Sequence, residues 1–138
     1  MAEGVLAKKM RLKAGTRAAL LSAPAGYLKA LAPLPAGVEI SETLRPALGW
    51  IQVFVRTRAE LARLAPKCVK SLADDGLLWV SFPKGTSGIQ TDLTRDEGWD
   101  ALAGADLKWV TLISVDETWS AFALRRLRPG ESRQEPRR

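Results

Sequence analysis

Leu107–Leu127 reads LKWVTLISVDETWSAFALRRL. Its two halves, Leu107–Val115 and Trp119–Leu127, are rich in the β-branched and aromatic residues of strands. Only Asp116-Glu117-Thr118 separates them. A parallel pair needs a crossover of about a dozen residues, so these two strands must form an antiparallel hairpin. Upstream of the hairpin, strand-like and helix-like segments alternate. Leu77–Phe82 (LLWVSF) and Ile51–Val55 (IQVFV) are almost continuously apolar, as strands buried on both faces are. Arg17–Ser22 (RAALLS) reads as a first strand, introduced by Gly15, and Val38–Ile40 as a short second one.

The helices announce themselves by their ends. Pro24 suits the first turn of a short helix over Ala25–Leu31, because it lacks an amide hydrogen that would be unpaired there anyway. Pro33, Pro35 and Gly37 end it. Thr57 with Glu60 three residues on is a capping box. It opens a helix through Ala73 with Leu61, Leu64, Cys68 and Leu72 at core spacing. Pro66 should kink or split that helix, and Asp74-Asp75-Gly76 stops it. Thr94 with Glu97 makes a second capping box, for a helix to about Ala103. The order β-α-β-β-α-β-α-β-β predicts a three-layer α/β/α domain. Its sheet has about six mostly parallel strands and a C-terminal antiparallel hairpin.

The chain has 138 residues, 46% hydrophobic and 26% charged, which suits one soluble globular domain over residues 1–127. With no histidine there is no imidazole base and no histidine metal ligand. A single cysteine, Cys68, excludes an intrachain disulfide and any CxxC motif. No metal is therefore expected. The formal charge is +6, with a net of +4 in residues 1–17, +4 in residues 125–138 and −2 in residues 18–124. The basic excess thus lies in the two end segments. The last stretch, RPGESRQEPRR over residues 128–138, lacks aliphatic and aromatic residues and is expected to be a disordered basic tail. No apolar run approaches the ~20 residues of a membrane span. The basic N-terminus lacks the apolar core of a signal peptide, and the expected location is the cytoplasm.

The strand order with its closing hairpin is similar to the class I methyltransferase architecture over roughly residues 10–127. The strings LLSAPAGYLKAL, FVRTRAEL, LWVSFPKGTSGIQTDLTRD and SVDETWSA resemble a bacterial family known only as a domain of unknown function. The resemblance implies a reduced Rossmann-like sheet ordered second-first-third-fourth-sixth-fifth, with the last strand inserted beside the fourth. It also implies S-adenosylmethionine (SAM) as the ligand of a true member. The sequence departs from the methyltransferase pattern at the first loop. A GxGxG-type turn is replaced by Ser22-Ala-Pro-Ala-Gly26, with one glycine and a proline. Pro24 removes an amide donor, and two alanines add side chains where close approach is needed. The ribose-binding acid of the family falls at Glu39 or Glu42.

In an open α/β sheet the ligand crevice lies outside the carboxyl ends of the strands, where strand order reverses. That point gathers Ser22, Pro24 and Gly26 of the first loop, Arg56, and the loop Pro83–Gly88. In that loop Lys84, Gly85, Thr86, Ser87 and Gly88 could cradle an anion with backbone amides, or form a long self-satisfied turn. Arg56 could pair with an anionic ligand or with Asp92; otherwise it is a solvated arginine at a helix start. Asp92 could act as a general base, or cap and close the loop. Asp116 and Glu117 are adjacent carboxylates whose hairpin position suits a turn better than acid–base work. The five tryptophans are spread over separate elements, as core and edge packing would have them.

These readings favour a non-catalytic methyltransferase-like module that takes no cofactor. It would bind a partner protein or a small anionic ligand at the crevice. The alternative is a small SAM-dependent methyltransferase with the cofactor over Ser22–Gly26. A second alternative is nucleic-acid binding through the basic ends, which the net negative middle makes the least favoured. The edge strands leave monomer and homodimer open.

Overall fold

The computed structural model describes residues 4–95, 97–102 and 105–131. It contains β1 (Arg17–Leu21), β2 (Glu39–Ser41), β3 (Leu48–Phe54), β4 (Leu72–Pro83), β5 (Leu107–Ser114) and β6 (Trp119–Arg126). Among the described residues, three α-helices accompany them: α1 (Val5–Lys9), α2 (Tyr27–Leu31) and α3 (Arg58–Ser71). One six-stranded sheet runs in the order β2-β1-β3-β4-β6-β5. The β1–β2, β1–β3 and β3–β4 pairs are parallel, and β4–β6 and β5–β6 are antiparallel. This is the expected order. The connection over residues 115–118 is too short for a crossover, so β6 returns antiparallel along β5, and β6 is the strand that lies beside β4.

Alternate side chains of the central strands serve opposite faces. On one face Ile51, Val53, Leu78, Val80, Phe82 and Phe122 pack under α3 with Leu61, Ala65 and Cys68. On the other Trp50, Phe54, Trp79 and Trp119 pack with Met10, Leu12, Tyr27 and Leu31 from the α1 and α2 region. Two-sided burial explains why β3 and β4 read as continuous apolar runs.

The second face also holds buried polar groups, and all of them are paired. The indole N–H of Trp50 on β3 and that of Trp79 on β4 both donate to the carbonyl of Met10, each at 2.9 Å. Arg11, the next residue, takes the left-handed φ of 58° that turns the chain after α1 and presents that carbonyl. Beside it, Gln52 and Ser81 are buried in the middle of β3 and β4. Gln52 donates to the Ser81 hydroxyl at 2.9 Å and accepts from the Tyr27 hydroxyl at 2.8 Å. Burial pushes the Tyr27 pKa up, so its hydroxyl stays a donor. Helix α1 was not legible in the sequence: five residues give no periodicity to read.

Several local expectations are corrected. Pro66 lies inside α3, which nevertheless runs as one helix from Arg58 to Ser71. The helix is bound at both ends. The Glu60 amide donates to Thr57 Oγ1 at 3.1 Å, and the Arg126 guanidinium donates to the Val69 and Leu72 carbonyls at 2.6 and 2.7 Å. Strand β4 starts at Leu72, five residues before the apolar run does. Leu48 faces Leu72 whereas Trp50 faces Leu77, so two steps of β3 match five of β4 in a bulge over Ala73–Gly76. Gly76 must be glycine, since a Cβ there would sit 2.8 Å from the Leu48 carbonyl oxygen.

The helix expected over residues 94–103 is, among the described residues, only a 3-10 turn at Asp100–Leu102. The capping bond forms, with the Glu97 amide donating to Thr94 Oγ1 at 3.1 Å. Gly98 then takes a φ of +103°, which leaves the helical region at once. Trp99 is thereby turned inward. It is fully buried, its indole donates to the Thr94 carbonyl at 2.7 Å, and its ring packs edge-on against Phe82. Packing this large ring outweighs the weak propensity of a short helix.

At the C-terminal end, residues 128–131 fold back onto the sheet. Glu131 pairs with Arg125 at 2.8 Å, lies 3.4 Å from Lys108 and accepts from the Arg128 amide at 2.6 Å. The rest of the expected tail, residues 132–138, lies outside the described residues.

Two tests follow from these contacts. Tyr27→Phe removes the hydroxyl that Gln52 accepts from, and should cost about 1–3 kcal/mol in urea unfolding; a change near zero would contradict the pairing. The Arg125 side chain, first among several donors, holds the Glu131 carboxyl well below its ordinary value of 4.5. A depressed carboxyl stabilises the fold above its unfolded value and loses that contribution as pH falls towards its native one. The Tm gap between wild type and Glu131→Gln should therefore be widest at neutral pH and close under acid; a pH-independent gap would refute the clamp.

Candidate functional site

Strand order reverses at β1, whose neighbours β2 and β3 are reached by connections in opposite directions. Outside the carboxyl ends of β1 and β2 lies a cavity of about 320 Å³ lined by Leu20, Ser22, Ala23 and Glu42. Ser22 follows β1 directly and takes a left-handed φ of 59°. Such a value is uncommon for a residue with a side chain. The chain then turns through Pro24, whose carbonyl accepts from the Tyr27 amide at 3.1 Å. Gly26, with φ +82°, delivers it into α2, and a Cβ placed on Gly26 would meet nothing within 4 Å. Glycine is kept there by backbone conformation.

The structure separates the two acids. Glu42 follows β2 and lines the cavity with Ser22. Glu39 begins β2, pairs in register with Arg17, and lines a different depression with Arg17, Ser41 and Arg45. Glu42 is thus the acid placed at the crevice.

Neither Pro24 nor Tyr27 fills the cavity. The Tyr27 ring is buried against Phe54, with centroids 4.8 Å apart, and Pro24 is outside the lining.

The other sequence candidates do not converge on this cavity. Arg56 donates its amide to Glu60 Oε1 at 2.8 Å and holds its guanidinium 6.0 Å from the Trp119 ring centroid. It does not meet Asp92. The partner of Asp92 is Arg58: the Arg58 amide donates to Asp92 Oδ1 at 2.7 Å, and its Nε to the Asp92 carbonyl at 3.1 Å. A carboxylate at the first turn of α3 meets unpaired amides and the positive end of the helix dipole. Asp92 therefore ties the loop to α3, the loop-closing role weighed for it, with Arg58 in place of Arg56 as the partner. Arg58 was missed because its role is set by a residue 34 positions away.

The Pro83–Gly88 loop lines a second, larger opening of about 780 Å³ with Phe82, Leu112 and Ser120. Much of its hydrogen bonding is internal or made to the hairpin. Lys84 donates its amide to the Thr118 carbonyl at 2.8 Å and its Nζ to Ser114 Oγ at 2.5 Å. The Ser87 amide donates to the Lys84 carbonyl at 3.0 Å, and the Ile89 amide to Ser87 Oγ at 3.1 Å. Gly88, at φ +81°, closes the turn. Gly85 and Thr86 sit at its tip. This is a structural turn braced on the β5–β6 hairpin.

Two more nucleophile and acid candidates resolve as structure. Cys68 is fully buried and burial pushes its thiol up to about 12, so no thiolate is available near neutral pH. Asp116 accepts from the Thr118 and Trp119 amides, both at 2.8 Å, and so closes the hairpin. Among the described residues no group of three or more His, Cys, Asp or Glu could hold a metal, and no helix is long and apolar enough to cross a membrane.

The fold has solved relatives. No protein-family model and no curated protein matches the chain. An O-methyltransferase family 2 protein from Planctomyces limnophilus, solved with apigenin, shares 16% identity at a TM-score of 0.58, over 83% of this chain and 50% of that one. The chain thus spans half the length of that protein. A SAM-dependent methyltransferase from Aquifex aeolicus shares 14% identity at 0.59, over 85% of this chain and 86% of that one. DhpI, solved in complex with SAH, shares 9% identity at 0.60, over 89% and 82%.

These likenesses overturn the expectation that the chain takes no cofactor, because the solved structures of like fold include a SAM-dependent methyltransferase and a protein held with SAH.

The Asp92 contact is open to a direct check. Asp92→Ala should cost about 0.5–2 kcal/mol of unfolding free energy, as loss of a helix-start carboxylate does. Arg56→Ala should cost less, and the reverse ranking would restore the Arg56 pairing. The sheet order, its antiparallel hairpin and the flanking helices together give this chain the methyltransferase-like α/β Rossmann fold.

Proposed function

We propose that the chain binds SAM at the Ser22–Glu42 cavity and serves a methyl-transfer reaction. The observation that carries this reading is that Glu42 and Ser22 share one cavity at the carboxyl ends of β1 and β2, in a sheet ordered like those of SAM-dependent methyltransferases. The residues fit the group at its ribose end. A carboxylate after the second strand accepts from ribose hydroxyls, and Glu42 stands there. The space beside it is not filled by Pro24 or Tyr27. The fit is poorer at the first loop, where Pro24 offers no amide hydrogen and Ala23 brings a methyl group to the wall.

SAM supplies an electrophilic methyl group carried on a sulfonium. Everything else falls to the chain. Glu42 orients the ribose. The left-handed turn at Ser22 places Ser22 and Ala23 together in the cavity wall. Asp92, bound to Arg58, holds the loop after β4 against α3 and so shapes the neighbouring opening.

The solved relatives favour this reading over a module that binds without catalysis. They do so through fold alone, and the cavity supplies the local argument.

Titration of S-adenosylhomocysteine by calorimetry tests the reading. Saturable binding is expected, weakened at least about tenfold by Glu42→Ala, a loss of about 1.4 kcal/mol. Glu39→Ala should leave the affinity unchanged. Absence of binding, or equal binding by wild type and Glu42→Ala, would overturn the proposal.

A further inference from the structure

Basic residues from the two end segments, Arg11 and Lys13 with Arg125 and Arg128, meet in space. At the amino ends of the parallel strands, opposite the Glu42 cavity, lies a cavity of about 350 Å³. Arg11 and Lys13 reach it from the N-terminal segment, and Arg125 and Arg128 from the C-terminal one. Asp75, on the β4 bulge, is the one acid in its wall. Glu131 binds Arg125 at 2.8 Å and offsets that charge. Among the described residues, the side chains of Arg11, Lys13 and Arg128 have no hydrogen-bond or ion-pair partner.

Three unpaired cations in one concavity repel each other, and an anion placed among them removes that repulsion. The backbone turns that bring them there are firmly set. Arg11 is fixed by the Met10 carbonyl that two buried indoles bind. Arg128 is fixed by its amide bond to Glu131 at 2.6 Å. Gly76, which cannot carry a side chain, keeps the wall at the β4 bulge low.

We infer that this cavity is a second ligand site, for a small polyphosphate or phosphorylated molecule. Arginine and lysine are the residues that hold phosphate oxygens by charge-assisted hydrogen bonds. The volume lies within the range of small-ligand pockets, about 300–1,000 Å³. A long polyanion fits less well, because residues 18–124 carry a net charge of −2 and offer no basic excess beyond the cavity. The inference does not depend on the SAM reading, since the two cavities share no residue.

Tripolyphosphate is the probe. Titrated into the full chain at low ionic strength, it should bind saturably. Lys13→Ala and Arg128→Ala should each weaken it at least about tenfold, or about 1.4 kcal/mol. Arg11→Asn, which tolerates the left-handed backbone, should do the same. Lys67→Ala, on the exposed side of α3, should not. The variants remove surface side chains, and their Tm values should match wild type within a few degrees. No saturable binding would overturn the inference, as would equal affinity in all four variants. Binding of a single-stranded oligonucleotide without tripolyphosphate binding would overturn the ligand class. A matching loss of S-adenosylhomocysteine affinity in Lys13→Ala and Arg128→Ala would merge the two sites and overturn their separation.

Discussion

One carbonyl oxygen organises half of this molecule. The Met10 carbonyl accepts the indole N–H groups of Trp50 and Trp79, which lie on the adjacent strands β3 and β4. An unpaired indole N–H in a core costs about 1–3 kcal/mol, so without Met10 two such penalties would fall on the centre of the sheet. The N-terminal segment is therefore a structural part of the domain. It covers the face that α2, with five residues, is too short to cover alone. The Tyr27–Gln52–Ser81 chain repeats the same solution one step along the strands.

That arrangement gives the two ends of the sheet different chemistry. At the carboxyl ends, β1 and β2 release the chain into turns around Glu42, an acid beside a cavity. At the amino ends, the segment fixed by Met10 brings Arg11 and Lys13 to Arg125 and Arg128. The same N-terminal anchor thus completes the core and builds the basic cavity. The loop after β4 leaves the sheet at the carboxyl ends, where it is held on three sides. Lys84, Asp92 and Trp99 hold it to the hairpin, to α3 and to the core.

The sheet was legible because its signals are local and redundant. The three-residue turn Asp116–Thr118 forces the hairpin whatever lies around it, and continuous apolar runs mark β3 and β4 as doubly buried. The Thr57–Glu60 capping box placed the start of α3 correctly. The same signature at Thr94–Glu97 formed its bond but no lasting helix, because Gly98 and burial of Trp99 dominate there. Pro66 did not break α3, whose ends are held by Thr57 and Arg126. The early start of β4 was hidden by Asp74 and Asp75, polar residues in a bulge that looks like a helix stop. In the site, the methyltransferase resemblance offered Glu39 and Glu42 alike, and only the fold shows that Glu42 lines the cavity at the carboxyl ends while Glu39 lines another. The Asp92–Arg58 bond and the basic cavity join residues far apart in sequence, and no local pattern announces either.

The most direct measurement is a map of backbone amide chemical shifts with and without S-adenosylhomocysteine. The account predicts shifts centred on Ser22, Gly26 and Glu42, with Arg11, Lys13 and Arg128 unmoved. A flat map, or one centred on the amino ends of the strands, would contradict it.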